Sequence, residues 1–250
     1  MKKTNLLYSF SGVAAIFFPV GRLKNGGTCE FLSKRCENEC AAFKNGTMNN
    51  SIPYKTKLRI YNEIFKNPMD EIIKRIISEM TEMDTKILYW FASGDCPRKL
   101  TQKLSELIIR LSKEYVMTQQ GFTRNKKLWQ SFKGSDNIRF CLTIENEDKI
   151  SNIDEEDKEG TLFAVPNYET GNVKIIGFPW VISKPQFEYH CGSLFNPAYR
   201  NKTHTYYERT VLEVSKCYDC QKCYNEKKGC HSKLDGTVKT NYSSAARSKF

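Results

Sequence analysis

Histidine is scarce in this chain, with three in 250 residues. His190 and His204 stand in aromatic, polar surroundings, and no Ser–His or Cys–His pairing is legible, so triad-type nucleophilic catalysis is not indicated. Long apolar runs are missing too, which excludes a membrane-spanning helix. The nearest approach is the N-terminal "MKKTNLLYSFSGVAAIFFPVGR", which imitates a secretory signal with its basic start and apolar stretch. Gly, Ser and Pro interrupt that run, and no small-x-small cleavage site follows it. Cys29 has no Leu three residues before it, so a lipid-anchor cleavage site is not expected either. The stretch reads instead as a buried strand leading into a cysteine loop, with a cytoplasmic location and no membrane partner. There is no internal repeat. Acidic residues also fall short, 28 Asp+Glu against 39 Lys+Arg. From residue 199 onward the basic residues number eleven and the acidic five. That excess suits a phosphate-rich or polyanionic partner, and equally a Lys-rich solvated surface.

Cysteine, by contrast, is plentiful. Ten cysteines in a cytosolic chain point to metal ligation rather than disulfides, and their clustering agrees. The first group lies in "GGTCEFLSKRCENEC", where Cys29, Cys36 and Cys40 follow a C-x6-C-x3-C spacing. A tetrahedral structural zinc would need a fourth thiolate or imidazole, and none is nearby. Three thiolates suit a four-iron cluster that leaves one iron open to a ligand. The second group is "CYDCQKC", with Cys217, Cys220 and Cys223 at the tight C-x2-C-x2-C spacing of ferredoxin-type ligation. Its fourth ligand is Cys191 or Cys230, and His231, directly after Cys230, is an alternative ligand. Cys191 is preferred because it directly follows a strand pair and would tie the polar C-terminal segment to the core. Four thiolates suit zinc as well as iron–sulfur, so zinc remains an alternative at this second site. Cys96 and Cys141 lie beside or inside apolar strands and read as small buried hydrophobes.

The middle of the chain has the clearest periodicity. "DEIIKRIISEM" (70–80) puts Ile72, Ile73, Ile76, Ile77 and Met80 on one helical face, and residues 101–116 form a second amphipathic helix. "ILYWFA" (87–92) is wholly apolar, as a strand buried on both faces should be. Residues 117–124 and 138–144 read as further strands, with a short helix around "NKKLWQSF" between them. Strand and helix alternate, so a parallel sheet with right-handed crossovers is expected. The acidic stretch 145–160 reads as an exposed loop, and residues 161–183 as a strand pair joined at "ETGN". Beyond Cys191 the chain turns polar, ending in a frayed tail.

Taken in order, "LLYSFSG", "FFPVG…GTC…C…C", "WFASGD", "GFTR", a lone Cys and a final C-x2-C-x2-C resemble the phage gene-product-eighty-eight family. Members of that family look like distant relatives of the radical S-adenosylmethionine (SAM) enzymes. The resemblance runs from about Leu6 to His231 and rests on motif order more than on any single short motif. Radical SAM enzymes use C-x3-C-x2-C on the loop after their first barrel strand, and the spacing here is wider. The resemblance implies an α/β fold, a partial or complete (β/α) barrel over residues 1–190, with a cysteine-rich metal-binding extension and basic tail over 191–250.

On such barrels functional loops gather at the C-terminal ends of the strands. Ser93-Gly94-Asp95 directly follows a buried strand. Gly94 lets the backbone approach a ligand, and Asp95 is placed to accept hydrogen bonds from an ammonium group, as the Gly-Gly-Glu loop of radical SAM enzymes does. Thr123-Arg124 ends the next strand, where Arg124 is suited to two-pronged pairing with a carboxylate. Glu145 ends the third. Each also has an ordinary reading, as a helix cap or surface ion pair. The resemblance implies an iron–sulfur enzyme in which a reduced cluster at Cys29, Cys36 and Cys40 cleaves SAM to a carbon radical. Asp95 and Arg124 would be its catalytic pair. Ser93, Gly94, Thr123 and Glu145 would join them in holding the cofactor. The second centre would relay electrons from a donor or hold substrate. A nucleic-acid-binding module with structural metal sites competes with this reading. Tyr206, Tyr207, Tyr218 and Tyr224 lie among Lys and Arg, a pattern that stacks on bases while cations track phosphates. A metal-stabilised, non-catalytic protein of a phage or mobile element is the third reading.

Overall fold

Strand β2, Val13–Phe17, is buried at all five positions, and a strand so apolar belongs inside a sheet rather than at its edge. The computed structural model describes residues 5–10, 13–40, 52–115, 117–133, 135, 137–146, 148–158, 161–166, 173–177 and 187–190. The chain forms two compact units, residues 1–142 and 143–250, each described by itself.

In the first unit, β1 (Tyr8–Phe10) pairs antiparallel with β2. Then β2, β3 (Ile87–Ser93), β4 (Thr118–Thr123) and β5 (Ile138–Thr143) pair in parallel, in the order of the sequence. The fold is therefore α/β with a mostly parallel sheet. The three neighbouring parallel strands expected from the apolar runs are present as β3, β4 and β5. The N-terminal apolar stretch, expected as one strand, is instead the hairpin partnership of β1 and β2.

Helices connect the parallel strands. A short helix α1 (Lys34–Glu39), then α2 (Tyr54–Lys66) and α3 (Met69–Glu82), lie between β2 and β3. The longer α4 (Thr101–Tyr115) lies between β3 and β4, and α5 (Lys126–Gln130) between β4 and β5. Helix α3 begins directly after Pro68, with Asp70 and Glu71 in a first turn whose partial positive charge they complement. It buries Ile72, Ile73, Ile76 and Met80, and α4 buries Leu104, Leu107, Ile108 and Leu111, both at helical spacing.

Alternation along the strands divides the sheet into two faces. One face meets the helices. Phe18 packs edge-on against Tyr61 of α2, Gln119 donates to the Ile108 carbonyl of α4, and Phe140 packs on Phe132 just beyond α5. The opposite face carries Phe17, Tyr89 and Phe122, with Phe10 of β1 stacked on Tyr89 at 5.4 Å. Gln120 and Arg139 stand side by side in register on that second face, both buried.

The pairing of β2 with β3 is irregular near its C-terminal end. Ala15 pairs with Tyr89 but Phe17 with Ser93, so four residues of β3 answer two of β2. This bulge contains Phe91, which adopts a left-handed backbone with φ 54°. Such a conformation costs a non-glycine residue about 1–2 kcal/mol. Packing of its ring against Phe18 and Phe140 offsets that cost. Bulges of this kind re-aim the end of a strand.

The second unit contains an antiparallel meander, β6 (Leu162–Pro166), β7 (Val173–Gly177) and β8 (Phe187–His190). The expected strand pair is thus present as β6 and β7. The acidic stretch 145–160 is not a plain exposed loop. It contains two single helical turns, Asp148–Ser151 and Glu155–Lys158, and buries Ile150 and Lys158. One apolar side chain and one aliphatic stem are enough to dock a turn that is otherwise charged. Among the described residues no helix is long and apolar enough to cross a membrane.

The most buried polar contact on the helix face is testable. The Trp90 indole N–H donates to Gln119 Oε1 at 2.9 Å, and the amide of Gln119 continues the chain to α4. Replacing Gln119 with Leu orphans the indole N–H and should destabilise the protein by roughly 1–3 kcal/mol. Urea unfolding measures this, and a loss below about 0.5 kcal/mol would show the bond to be energetically idle.

Candidate metal centre

The cysteine loop begins where β2 ends. Phe18 N–H donates to the Ser93 carbonyl at 2.8 Å and the Ser93 hydroxyl returns a bond to the Phe18 carbonyl at 2.9 Å. These two bonds staple the ends of β2 and β3. The chain then turns back on itself: Thr28 N–H donates to the Pro19 carbonyl and Cys29 N–H to the Gly21 carbonyl, both at 2.9 Å. The loop closes so tightly that a Cβ on Gly27 would lie 2.0 Å from the Gly21 carbonyl oxygen. Only glycine fits there.

Cys29 therefore sits on a closed turn. Burial is the largest influence and, against a smaller opposing pull from the Gly21 backbone, pushes the thiol well above its ordinary range. The negative charge of Asp95 pushes the same way, followed more weakly by Cys40 and Cys36. Cys36 lies in α1, whose first turn is capped by Ser33 Oγ accepting from Cys36 N–H at 2.9 Å. Cys40 ends that helix four residues later, so the two side chains share its flank. All three cysteines are half-buried thiols, outside any disulfide. Among the described residues, no three His, Cys, Asp or Glu side chains are disposed to hold a single metal ion.

The expected strand-end residues converge on the same loop. Gly94 has φ 76°, and a Cβ there would lie 2.7 Å from Phe18 Cβ and from Thr28 Oγ1. Asp95 N–H donates to Thr28 Oγ1 at 3.2 Å. The Cys29 loop and Ser93-Gly94-Asp95 thus lie at the same, C-terminal, end of the parallel strands. The carboxylate of Asp95 reaches the next strand as well. Its Oδ1 accepts from the Thr123 hydroxyl at 2.6 Å and from Cys96 N–H at 2.7 Å, and its Oδ2 accepts from Arg124 N–H at 2.9 Å. Burial pushes Asp95 up to about 6 against the pull of those three donors and of the Arg124 charge. Rather than capping a helix, Asp95 is the knot between the ends of β3 and β4.

Three residues outside the sequence-based set belong to this cluster. Thr28 joins the cysteine loop to both strand ends. Asn125 caps α5 by accepting from Leu128 N–H at 3.1 Å, and its amide donates to the Cys96 carbonyl and to Thr101 Oγ1. Cys96 is fully buried, as expected, and both burial and Asp95 push its thiol up. An Asn three residues before Leu128 was a legible cap signal. Thr28 carried no signal beyond its adjacency to Cys29. Glu145 lies in the second unit and is half-buried there. Cys191, Cys217, Cys220, Cys223, Cys230 and the basic tail lie outside the described residues.

Comparison with protein-family models, with curated proteins and with solved structures finds no match to this chain.

Two outcomes test this geometry. Gly94→Ala introduces a left-handed alanine whose Cβ meets Phe18 and Thr28, and should cost at least about 2 kcal/mol in urea unfolding. The pH dependence of Asp95 has a definite sign. Its folded pKa is raised above the unfolded value, so its contribution to stability is fully present below about pH 4 and is lost as pH rises through about 6. The stability of the wild-type chain relative to Asp95→Asn should therefore fall by about 1–3 kcal/mol between those limits. A difference that stays flat with pH would place the Asp95 titration elsewhere.

Proposed function

We propose that the chain is an iron–sulfur protein of the radical SAM kind, built on a partial (β/α) barrel, with Cys29, Cys36 and Cys40 holding a cluster. The observation that carries this reading is the meeting of the three-cysteine loop with two strand-end loops at one end of a parallel sheet, joined through Thr28 and Asp95. The donor set supports it. Three soft thiols close together in sequence, with no fourth thiol or imidazole nearby in sequence, suit a cluster with one open iron better than closed tetrahedral zinc. The strand order supports the barrel, because same-handed crossovers between strands laid down in sequence keep every helix on one face.

When bound, a cluster of this type supplies one-electron reduction. The chain supplies position and electrostatics. Asp95 holds the backbones of Cys96 and Arg124 in place, so Gly94 and Arg124 present a fixed edge beside the thiols. Arg124, half-buried at the end of β4, offers the cationic side of that edge. In this reading the protein is cytoplasmic, where its thiols stay reduced. The centre at Cys191, Cys217, Cys220 and Cys223, whether iron–sulfur or zinc, serves as an electron relay or substrate holder, fed by a separate electron donor.

Anaerobic purification tests the proposal. The protein should be brown, its reduced electron paramagnetic resonance spectrum should shift on adding SAM, and Cys36→Ser should abolish that shift. A colourless protein carrying only zinc would overturn the reading and favour the nucleic-acid-binding alternative.

A further inference from the structure

We propose that Thr28 is the positioning residue of the cysteine centre, fixing the Cys29 thiol relative to Asp95 through its side-chain hydroxyl. Thr28 is 1% exposed, although it lies in a polar stretch that gives no reason for burial. Its Oγ1 donates to the Pro19 carbonyl at 2.9 Å and accepts from Asp95 N–H at 3.2 Å. One hydroxyl therefore joins the chain leaving β2 to the chain leaving β3. The residue that carries it directly precedes Cys29, whose own backbone is fixed to Gly21. Gly94 adds the third side of the joint, since its missing side chain is what lets Phe18 and Thr28 approach.

Three other side-chain ties on this loop are of a different kind. Arg22 grips Glu37 through two bonds at 2.7 and 2.6 Å, Tyr54 donates to the Gly26 carbonyl at 3.0 Å, and Glu30 accepts from Arg98 N–H at 2.7 Å. All three are exposed, where such contacts contribute little and are screened by salt. The Thr28 bonds are buried, so losing them leaves the Asp95 N–H unsatisfied in a low-dielectric setting. The hydroxyl is thus the buried side-chain link between the cysteine loop and the Asp95 strand end before any metal arrives.

This inference rests on the reading of Cys29 as a cluster ligand, and two measurements keep the two apart. In metal-free, reduced protein, Cys29 alkylation by iodoacetamide is followed at fixed pH by peptide mass spectrometry. Thr28→Val should raise the rate about fivefold to tenfold, the factor expected when one buried hydrogen bond no longer opposes local opening. Thr28→Ser should restore the wild-type rate. Cys141, buried in β5, should remain equally slow in all three proteins and reports any general loosening. If Thr28→Val fails to fold, Thr28→Ala removes the same hydroxyl without branching.

After anaerobic reconstitution with iron and sulfide, the Val variant should show altered g-values or reduced iron content, with Ser again restoring both. Wild-type-like alkylation and an unchanged spectrum in the Val variant would overturn the proposal, as would a Ser variant that behaves like Val. A wild-type protein that takes up no iron would sink the functional reading instead, leaving the alkylation rates to decide the role of Thr28.

Discussion

The described part of the first unit depends on one buried carboxylate. Asp95 is 6% exposed, and a charge so placed is costly unless hydrogen bonds replace the lost water. It receives three of them, from Thr123, Cys96 and Arg124, so the ends of two parallel strands are bound to one side chain. The same residue extends its backbone N–H to Thr28, which brings in the third strand end. Parallel strands are joined by long crossovers, so nothing local fixes the relation of their C-terminal ends. Here side-chain chemistry fixes it. The bulge at Phe91 belongs to the same arrangement, because it delivers Ser93 to Phe18 two residues out of regular register.

Most of the elements that were legible in sequence are those whose burial is decided by hydrophobicity, the polar strand β4 and the short α5 being exceptions. β3 and β5 are nearly continuous apolar runs, and α3 and α4 place their buried Ile, Leu and Met residues at helical spacing. Helix α2 was not legible. Its buried face is Lys57, Ile60, Tyr61 and Ile64, so a lysine occupies one of the positions that would define the stripe. Burial lowers that amine to about 8, a sign that packing overrode the residue's preference for water. A periodicity argument cannot anticipate a buried cation. The short turns at 148–151 and 155–158 were hidden for the converse reason, since one Ile in an acidic stretch makes no pattern.

At the site, sequence located the participants better than their bonds. Ser93, Gly94, Asp95, Thr123 and Arg124 were recognisable as strand-end residues, and they do gather beside the Cys29 loop. Their partners were not recognisable, because a carboxylate at a strand end looks the same whether it faces a ligand, a helix or another loop. Thr28 was invisible for a related reason. A hydroxyl on Thr28 that also accepts from Asp95 reaches across 67 residues of chain, and only the packed strands bring those segments together.

The electrostatics of this end of the sheet constrain what it can hold. Cys29 is pushed up by burial and by Asp95, and Asp95 is itself pushed up by burial. Two adjacent groups that both resist ionisation cannot both be anionic in a low-dielectric setting without a compensating positive charge. Arg124 supplies some of that charge to Asp95, but it is not among the groups that act on Cys29. Burial and the Asp95 charge thus hold the Cys29 thiol against ionisation until a cation is added close by. A metal centre would supply that charge, and binding it would release protons, so its affinity would fall in acid. The polarity of the site follows from this. With the Asp95 carboxylate already beside it, Cys29 gives up its proton only when something positive is bound.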